Sequence, residues 1–223
     1  MPAFEQAIAL GYRYLETDVH VTADGVLLAF HDDVLDRVTD RSGRIDQLPW
    51  SYVREARVDG REPIALFEDL LGAFPDARIN VDPKHDAAVD PLVAALRRCR
   101  AVERVCIGAF SDKRIARMRT LCGPKLCTSL GPRDIAKLRA ASVGTPRLRF
   151  PAPCAQVPLE AYGVTLVDQR FVDVAHSRGM QVHVWTIDDE GEMRRLLDLG
   201  VDGIMTDLPG MLKTVLESRN QWN

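Results

Sequence analysis

The sequence predicts an α/β fold, a closed (β/α) barrel, on three observations. Short apolar or β-branched runs alternate with helix-like runs over the 223 residues. Seven such strand-then-helix units succeed one another in one direction, which implies a parallel sheet covered by helices. No composition break, low-complexity stretch or Ser/Gly linker interrupts them, so residues 1–223 read as a single domain. A doubly wound open sheet gives the same alternation; the run of similar units without a break favours closure.

The elements follow in order. A helix-like stretch, Ala3–Leu10, opens the chain. The strand candidates are Tyr14–Val19, Arg78–Asp82, Val105–Phe110, Lys125–Leu130, Pro153–Val157, Gln181–Thr186 and Gly203–Thr206. Between them, Asp90–Arg100 carries Leu92, Val93 and Leu96 on one face. Ser111–Leu121 begins with a residue able to cap and spaces Ile115, Met118 and Leu121 for a helix. Pro132–Ala141 carries Ile135 and Leu138, and Phe171–Ser177 stops before Gly179. Asp189–Leu199 stops at Gly200, and Leu208–Ser218 closes the chain. One unit is irregular. The run Tyr14–Val21 meets Thr22-Ala23-Asp24-Gly25 and then Val26–His31, and Asp-Gly between two such runs signals a hairpin. Residues 33–62 after it are polar, with scattered apolar residues, and read as a surface excursion.

Composition narrows the class. Apolar residues make up 46% and charged residues 27%, which suits a globular chain. A net charge of −3 with a pI near 6.0 disfavours nucleic acid as a partner. No apolar run approaches the ~20 residues of a membrane span, and Met1–Gln6 has no basic, apolar leader pattern. The five cysteines are odd in number and form no Cys-x-x-Cys pair. Cys106 and Cys127 lie in strand-like runs and read as small hydrophobes. A reducing, cytoplasmic location is the expectation.

Chemistry concentrates where the predicted strands end. Glu16 and Asp18 are two residues apart on one strand, so both project from one face. Two carboxylates on one face repel, and a divalent cation holds both ionised; oxygen-only ligands select a hard ion, Mg²⁺ or Ca²⁺. A salt bridge to a neighbouring Lys or Arg is the plainer alternative. A turn centred on Ala23-Asp24 sets His31 opposite Glu16 and Asp18 opposite Ala29, bringing a general acid or base to the carboxylates. Asp82 and Lys84 end the next barrel strand on a shared face. Asp82 is placed to complete a three-carboxylate metal site, and Lys84 to neutralise an anionic group. Together they suggest a metal-assisted phosphate ester site. Trp185, late in its strand, reads either as barrel packing or as part of a substrate pocket.

Several runs carry a resemblance. Gly11-Tyr12-Arg13-Tyr14-Leu15-Glu16-Thr17-Asp18-Val19 is followed by Thr22-Ala23-Asp24-Gly25, by His31-Asp32-Asp33 and by Leu35-Asp36-Arg37-Val38-Thr39. Later come Asn80-Val81-Asp82-Pro83-Lys84, Val182-His183-Val184-Trp185-Thr186-Ile187 and the run from Gly200 to Pro209. In order and spacing they resemble the glycerophosphodiester phosphodiesterase family over essentially the whole chain. The resemblance implies a TIM barrel with a small hairpin insertion. It implies metal-dependent hydrolysis of a small glycerophosphodiester to glycerol 3-phosphate and an alcohol, with the substrate's own glycerol hydroxyl as a candidate nucleophile that gives a cyclic phosphate intermediate. By resemblance Glu16, Asp18 and Asp82 match metal ligands, His31 one of two catalytic histidines, Lys84 a phosphate contact and Trp185 a wall of the glycerol pocket. Arg37 falls in a matching run and takes no catalytic role from it.

Two departures accompany the resemblance. The family usually has Glu where this chain has Asp82, one methylene shorter. Its members also begin with a strand ending in His-Arg-Gly ahead of the first helix, and nothing here precedes that helix. The other histidines, His20, His85, His176 and His183, do not fit the missing role. The expectation is therefore a barrel lacking its first strand, with an in-frame upstream extension of about 25–30 residues, one strand at ~3.3 Å per residue plus a loop. Alternatively the open edges re-pair, or another copy in a homo-oligomer covers them. With His31 alone, one side of the acid–base pair is missing and activity is expected to be severely reduced. The alternative function is a catalytically impaired phosphate-ligand binding or scaffold protein; a phospholipase D-like toxin is a weaker reading, disfavoured by the absent leader and disulfide pattern.

Overall fold

In the computed structural model, which describes residues 1–144, 148–161 and 163–222, each predicted run forms an element. The chain divides into two units, Met1–Cys127 and Thr128–Asn223.

In the first unit, helix α1 (Pro2–Leu10) starts on a proline and ends at Gly11, whose φ of 104° suits a residue without Cβ. Strand β1 (Tyr14–Val21) turns into β2 (Leu27–Ala29). Residues 33–62 hold a short helix, α2 (Trp50–Val53), and a small hairpin of β3 (Arg57–Val58) and β4 (Glu62–Pro63). Then come β5 (Ala65–Leu66), α3 (Phe67–Ala73), β6 (Arg78–Pro83), α4 (Val89–Arg98), β7 (Val105–Ile107), α5 (Asp112–Cys122) and β8 (Cys127–Thr128). The sheet order is β5-β2-β1-β6-β7-β8. Strands β1, β6 and β7 pair in parallel, while β2 pairs antiparallel with both β1 and β5.

Burial accounts for this arrangement. Leu15, Val19, Ile79, Val81 and Ile107 project from the parallel strands into a core with Phe67, Leu70, Leu92, Leu96 and Met118 from the covering helices. Burying such side chains contributes about 1.5–3 kcal/mol each. The apolar residues of segment 33–62, scattered in sequence, are gathered in space. Leu35, Ile45, Val53 and Ala56 are fully buried in a second cluster with Leu28 of β2. The excursion therefore has a core of its own, seated on the hairpin. Sequence periodicity does not show this, because these residues lie in loops and two single helical turns.

The second unit contains α6 (Pro132–Ala141), β9 (Cys154–Pro158), a small hairpin of β10 (Glu160–Ala161) and β11 (Val164–Thr165), α7 (Gln169–His176), β12 (Gln181–Trp185), α8 (Glu190–Asp198), β13 (Gly203–Ile204) and α9 (Pro209–Ser218). Strand β12 lies between β9 and β13 and is parallel to both. Helix α7 starts two residues earlier than the sequence suggests, because the Asp168 carboxylate caps it by accepting from the Phe171 N–H at 2.8 Å. Asp189 caps α8 likewise, from Glu192 N–H at 2.8 Å. Several strands are shorter than expected: β7 ends at Ile107, one residue before Gly108, and Phe110 is exposed.

The hairpin register corrects one expectation. Val19 pairs with Ala29 and Val21 with Leu27, so Asp18 stands across from Phe30, whose N–H donates to the Asp18 carbonyl at 3.0 Å. His31 is therefore not opposite Glu16, and Ala29 is not opposite Asp18. The cause is the turn, which spans three residues, Ala23 to Gly25. Gly25 takes a φ of 89°, and its N–H donates to the Thr22 carbonyl at 3.0 Å. The Thr22 hydroxyl donates to Asp24 at 2.6 Å and accepts from the Val26 N–H at 3.0 Å, which fixes the wider loop.

Candidate active site

The parallel ladder of β1 and β6 builds the first part of the site. Glu16 is in register with Asn80, and Asp18 with Asp82. Residues in register on parallel strands share a face, so Glu16, Asp18, Asn80 and Asp82 all project from one side. Lys84 follows at the next same-face position beyond the strand end.

Lys84 joins the two aspartates. Its ammonium lies 2.7 Å from Asp18 Oδ1 and 3.6 Å from Asp82 Oδ2. Burial opposes its charge, but the hydrogen bond to Asp18 and the charges of Asp18, Asp82 and Glu16 outweigh that and raise its pKa. Asp82 is the opposite case. Burial, with the like charge of Asp18 adding to it, raises its pKa despite the attraction of Lys84 and Arg114. Its Oδ1 is buried and accepts no hydrogen bond from the described residues. A buried carboxylate oxygen without a partner is costly unless a cation or proton meets it.

Three carboxylates do not converge as tightly as the sequence suggests. Glu16, Asp18 and Asp82 are not among the described trios whose ligand atoms all lie within 4.8 Å of one another. Glu16 faces Asn80, one pleat repeat of roughly 6.6 Å from Asp18. The donor set is nonetheless all oxygen, and the orphaned Asp82 Oδ1 is the kind of atom a hard cation satisfies.

The loop after β2 supplies the second part. His31 is exposed, and its Nε2 lies 4.0 Å from Asp18 Oδ2. Its Nδ1 is bonded to Asp32 Oδ1 at 2.6 Å. Asp32 in turn accepts two hydrogen bonds from Arg37, at 2.6 and 2.8 Å. These partners, Arg37 first and His31 second, hold the Asp32 carboxyl well below the usual carboxylate range. Asp32 stays ionised, so His31 Nδ1 carries the proton and Nε2 is left for chemistry. The sequence alone assigns Asp32 and Arg37 no role. His-Asp followed by Arg five residues later was their only trace, and it becomes readable once the loop is known to fold back.

Beyond Asp18, the ring of His20 is buried and its Nε2 lies 3.0 Å from the His31 carbonyl oxygen. Trp185 belongs to the second unit, half-buried at the end of β12 in register with Pro158. The five cysteines form no disulfide. No described helix is long and apolar enough to cross a membrane.

Comparisons with known proteins bear on the family and the fold. The model of the glycerophosphoryl diester phosphodiesterase family matches residues 1–211. A Mycobacterium tuberculosis protein named "Probable glycerophosphodiester phosphodiesterase 2" is 40% identical, over all of this chain and 86% of its own length. Solved structures share the fold. The glycerophosphoryl diester phosphodiesterase domain of an uncharacterized M. tuberculosis protein superposes with a TM-score of 0.79 at 20% identity, over 96% of this chain and 91% of that one. A phosphodiesterase from Oleispira antarctica, solved with the product sn-glycerol-3-phosphate, gives 0.78 at 17% identity, over 96% and 90%. The fold class is thus the TIM-barrel type of these enzymes. A family match across both units and a relative at this identity lead to one conclusion: the chain belongs to the glycerophosphoryl diester phosphodiesterase family of phosphoric diester hydrolases.

Proposed function

We propose that the chain hydrolyses small glycerophosphodiesters to glycerol 3-phosphate and an alcohol, with Asp18, Asp82 and Glu16 holding a divalent hard cation. The observation that carries this is the buried Oδ1 of Asp82, without a partner among the described residues, on a carboxylate beside Asp18 whose other oxygen, Oδ2, lies 3.6 Å from the Lys84 ammonium. The family match through residues 1–211 supports reading the chain as one catalytic domain. The product complex of the Oleispira relative supports the choice of substrate class.

The roles follow from the contacts. When bound, the cation supplies positive charge against the phosphoryl oxygens. Lys84 adds a fixed positive charge on the same face and stabilises the charge that develops as a nucleophile's oxygen bonds to phosphorus. His31 exchanges a proton at Nε2. It accepts the proton of the attacking hydroxyl, or delivers one to the alkoxide released when the phosphorus–oxygen bond breaks. Asp32 fixes the tautomer and stabilises the imidazolium, and Arg37 fixes Asp32.

Incubation with glycerophosphocholine tests the reading by following glycerol 3-phosphate. Release that falls by roughly 10²–10⁴-fold in His31→Ala supports it. Binding of glycerol 3-phosphate without turnover identifies instead a ligand-binding protein on this fold.

A further inference from the structure

Three elements of the first unit bring a second set of metal-capable side chains together. His20 comes from β1, Asp33 from the loop after β2, and His85 from the residue after Lys84. One ligand atom from each lies within 4.8 Å of the others. His85 Nε2 is 3.0 Å from Asp33 Oδ1, and His20 Nδ1 is 3.8 Å from the same oxygen. The two imidazole centroids are 5.4 Å apart.

The hydrogen bonding of His20 determines what its Nδ1 offers. Its Nε2 lies 3.0 Å from the His31 carbonyl oxygen, which accepts only, so Nε2 carries the hydrogen. In that tautomer Nδ1 points a lone pair toward the Asp33 carboxylate. Two acceptors facing each other at 3.8 Å repel unless a cation or a proton lies between them. The Asp33 and His85 side chains are 48% and 41% exposed, so an ion has a path in and space for a water ligand.

We propose that His20, Asp33 and His85 form a second metal site, for a borderline divalent transition ion of the zinc type. Two imidazoles and one carboxylate suit such an ion better than Mg²⁺ or Ca²⁺. Tetrahedral zinc with bonds near 2.0–2.1 Å separates its ligand atoms by roughly 3.3 Å, close to the 3.0 and 3.8 Å present. Three protein ligands with one position open is the arrangement of exchangeable zinc sites. The backbone hydrogen bond from His20 acts in the outer shell and orients the ligand ring. An ion here ties the loop bearing His31 to the strand end bearing Lys84. The site is separate from the oxygen ligands of the proposed hydrolytic centre and does not depend on that reading.

Cobalt titration tests it. Chelator-treated protein is titrated with Co²⁺ in excess Mg²⁺, which occupies oxygen sites and leaves imidazole sites to cobalt. One equivalent of Co²⁺ is expected to produce the intense visible bands of a four- or five-coordinate ion, and Zn²⁺ is expected to bleach them. The exposed substitutions His85→Ala and Asp33→Ala are expected to abolish the bands while circular dichroism and Tm show a folded chain. The bands are expected to persist in Asp18→Asn. Only the weak spectrum of six-coordinate cobalt in the native protein, unchanged bands in folded His85→Ala, or their loss in Asp18→Asn would each overturn the site.

Discussion

Asp18 and Asp82 stand directly beside each other in the parallel ladder of β1 and β6, with the Lys84 ammonium 2.7 Å from one and 3.6 Å from the other. The two aspartates are not equivalent. Asp18 has the closer ammonium, whereas Asp82 keeps an unpartnered buried oxygen and a raised pKa.

Asp82→Asn is expected to stabilise the ion-free protein at pH 7. A folded-state pKa above the unfolded value means that the ionised group opposes folding, and the opposition disappears as pH falls below the unfolded value. Each 1 kcal/mol of such relief would raise Tm by roughly 2–4 °C in a chain of this size. The gap between variant and native protein should close as pH approaches about 4. Thermal melts from pH 4 to 8 in chelator check both. A lower Tm for the variant at pH 7 would show that Asp82 is satisfied.

Lys84→Met removes the cation joining the two carboxylates. Melting temperature without added ion should fall, and Mg²⁺ or Ca²⁺ should recover more of it than they add to native protein. Turnover should drop by about 10²–10³-fold even with saturating ion, as when a charge-stabilising donor is lost. Full activity at saturating ion would assign Lys84 to folding alone.

Asp32→Asn leaves the shape of the loop and removes the charge that orients His31. Its kcat is expected to fall by about 10²–10⁴-fold with KM little changed. Asp32→Glu should recover part of the loss, and Arg37→Ala should show a smaller fall. A rise in KM with kcat preserved would place Asp32 in substrate binding instead.

Gly25→Ala tests the turn that sets the hairpin register. Apart from its chain neighbours, no described residue has an atom within 4 Å of the added Cβ, so the cost is the backbone's at a φ of 89°. About 1–2 kcal/mol is expected, with a fall in Tm of several degrees. Gly25→Asn should cost less, since Asn tolerates the left-handed region. An unchanged Tm in Gly25→Ala would mean that the loop relaxes at no cost.

The alternation of apolar runs carried the fold well, because each parallel strand is buried on a face against helices whose own periodicity is clear. The carboxylates at 16, 18 and 82 and the lysine at 84 were readable for the same reason: they end those strands with fixed parity. The hairpin register was not. The sequence suggests a two-residue turn centred on Ala23-Asp24, and the Thr22 hydroxyl stabilises a three-residue one. The Asp32–Arg37 pair and the trio His20, Asp33 and His85 were illegible because loop folding, with no period in sequence, brings them together. The buried cluster under residues 33–62 was hidden for that reason too.

The central claim is that the carboxylates of β1 and β6 hold the cation on which phosphodiester cleavage depends. Glycerophosphocholine turnover, measured after chelation and then with added Mg²⁺ or Ca²⁺, tests it most directly in native protein and Asp18→Asn side by side. The account predicts activity in native protein that vanishes with chelator and returns with ion, and no recovery in the variant. Turnover unaffected by chelation, or equal recovery in Asp18→Asn, would contradict it.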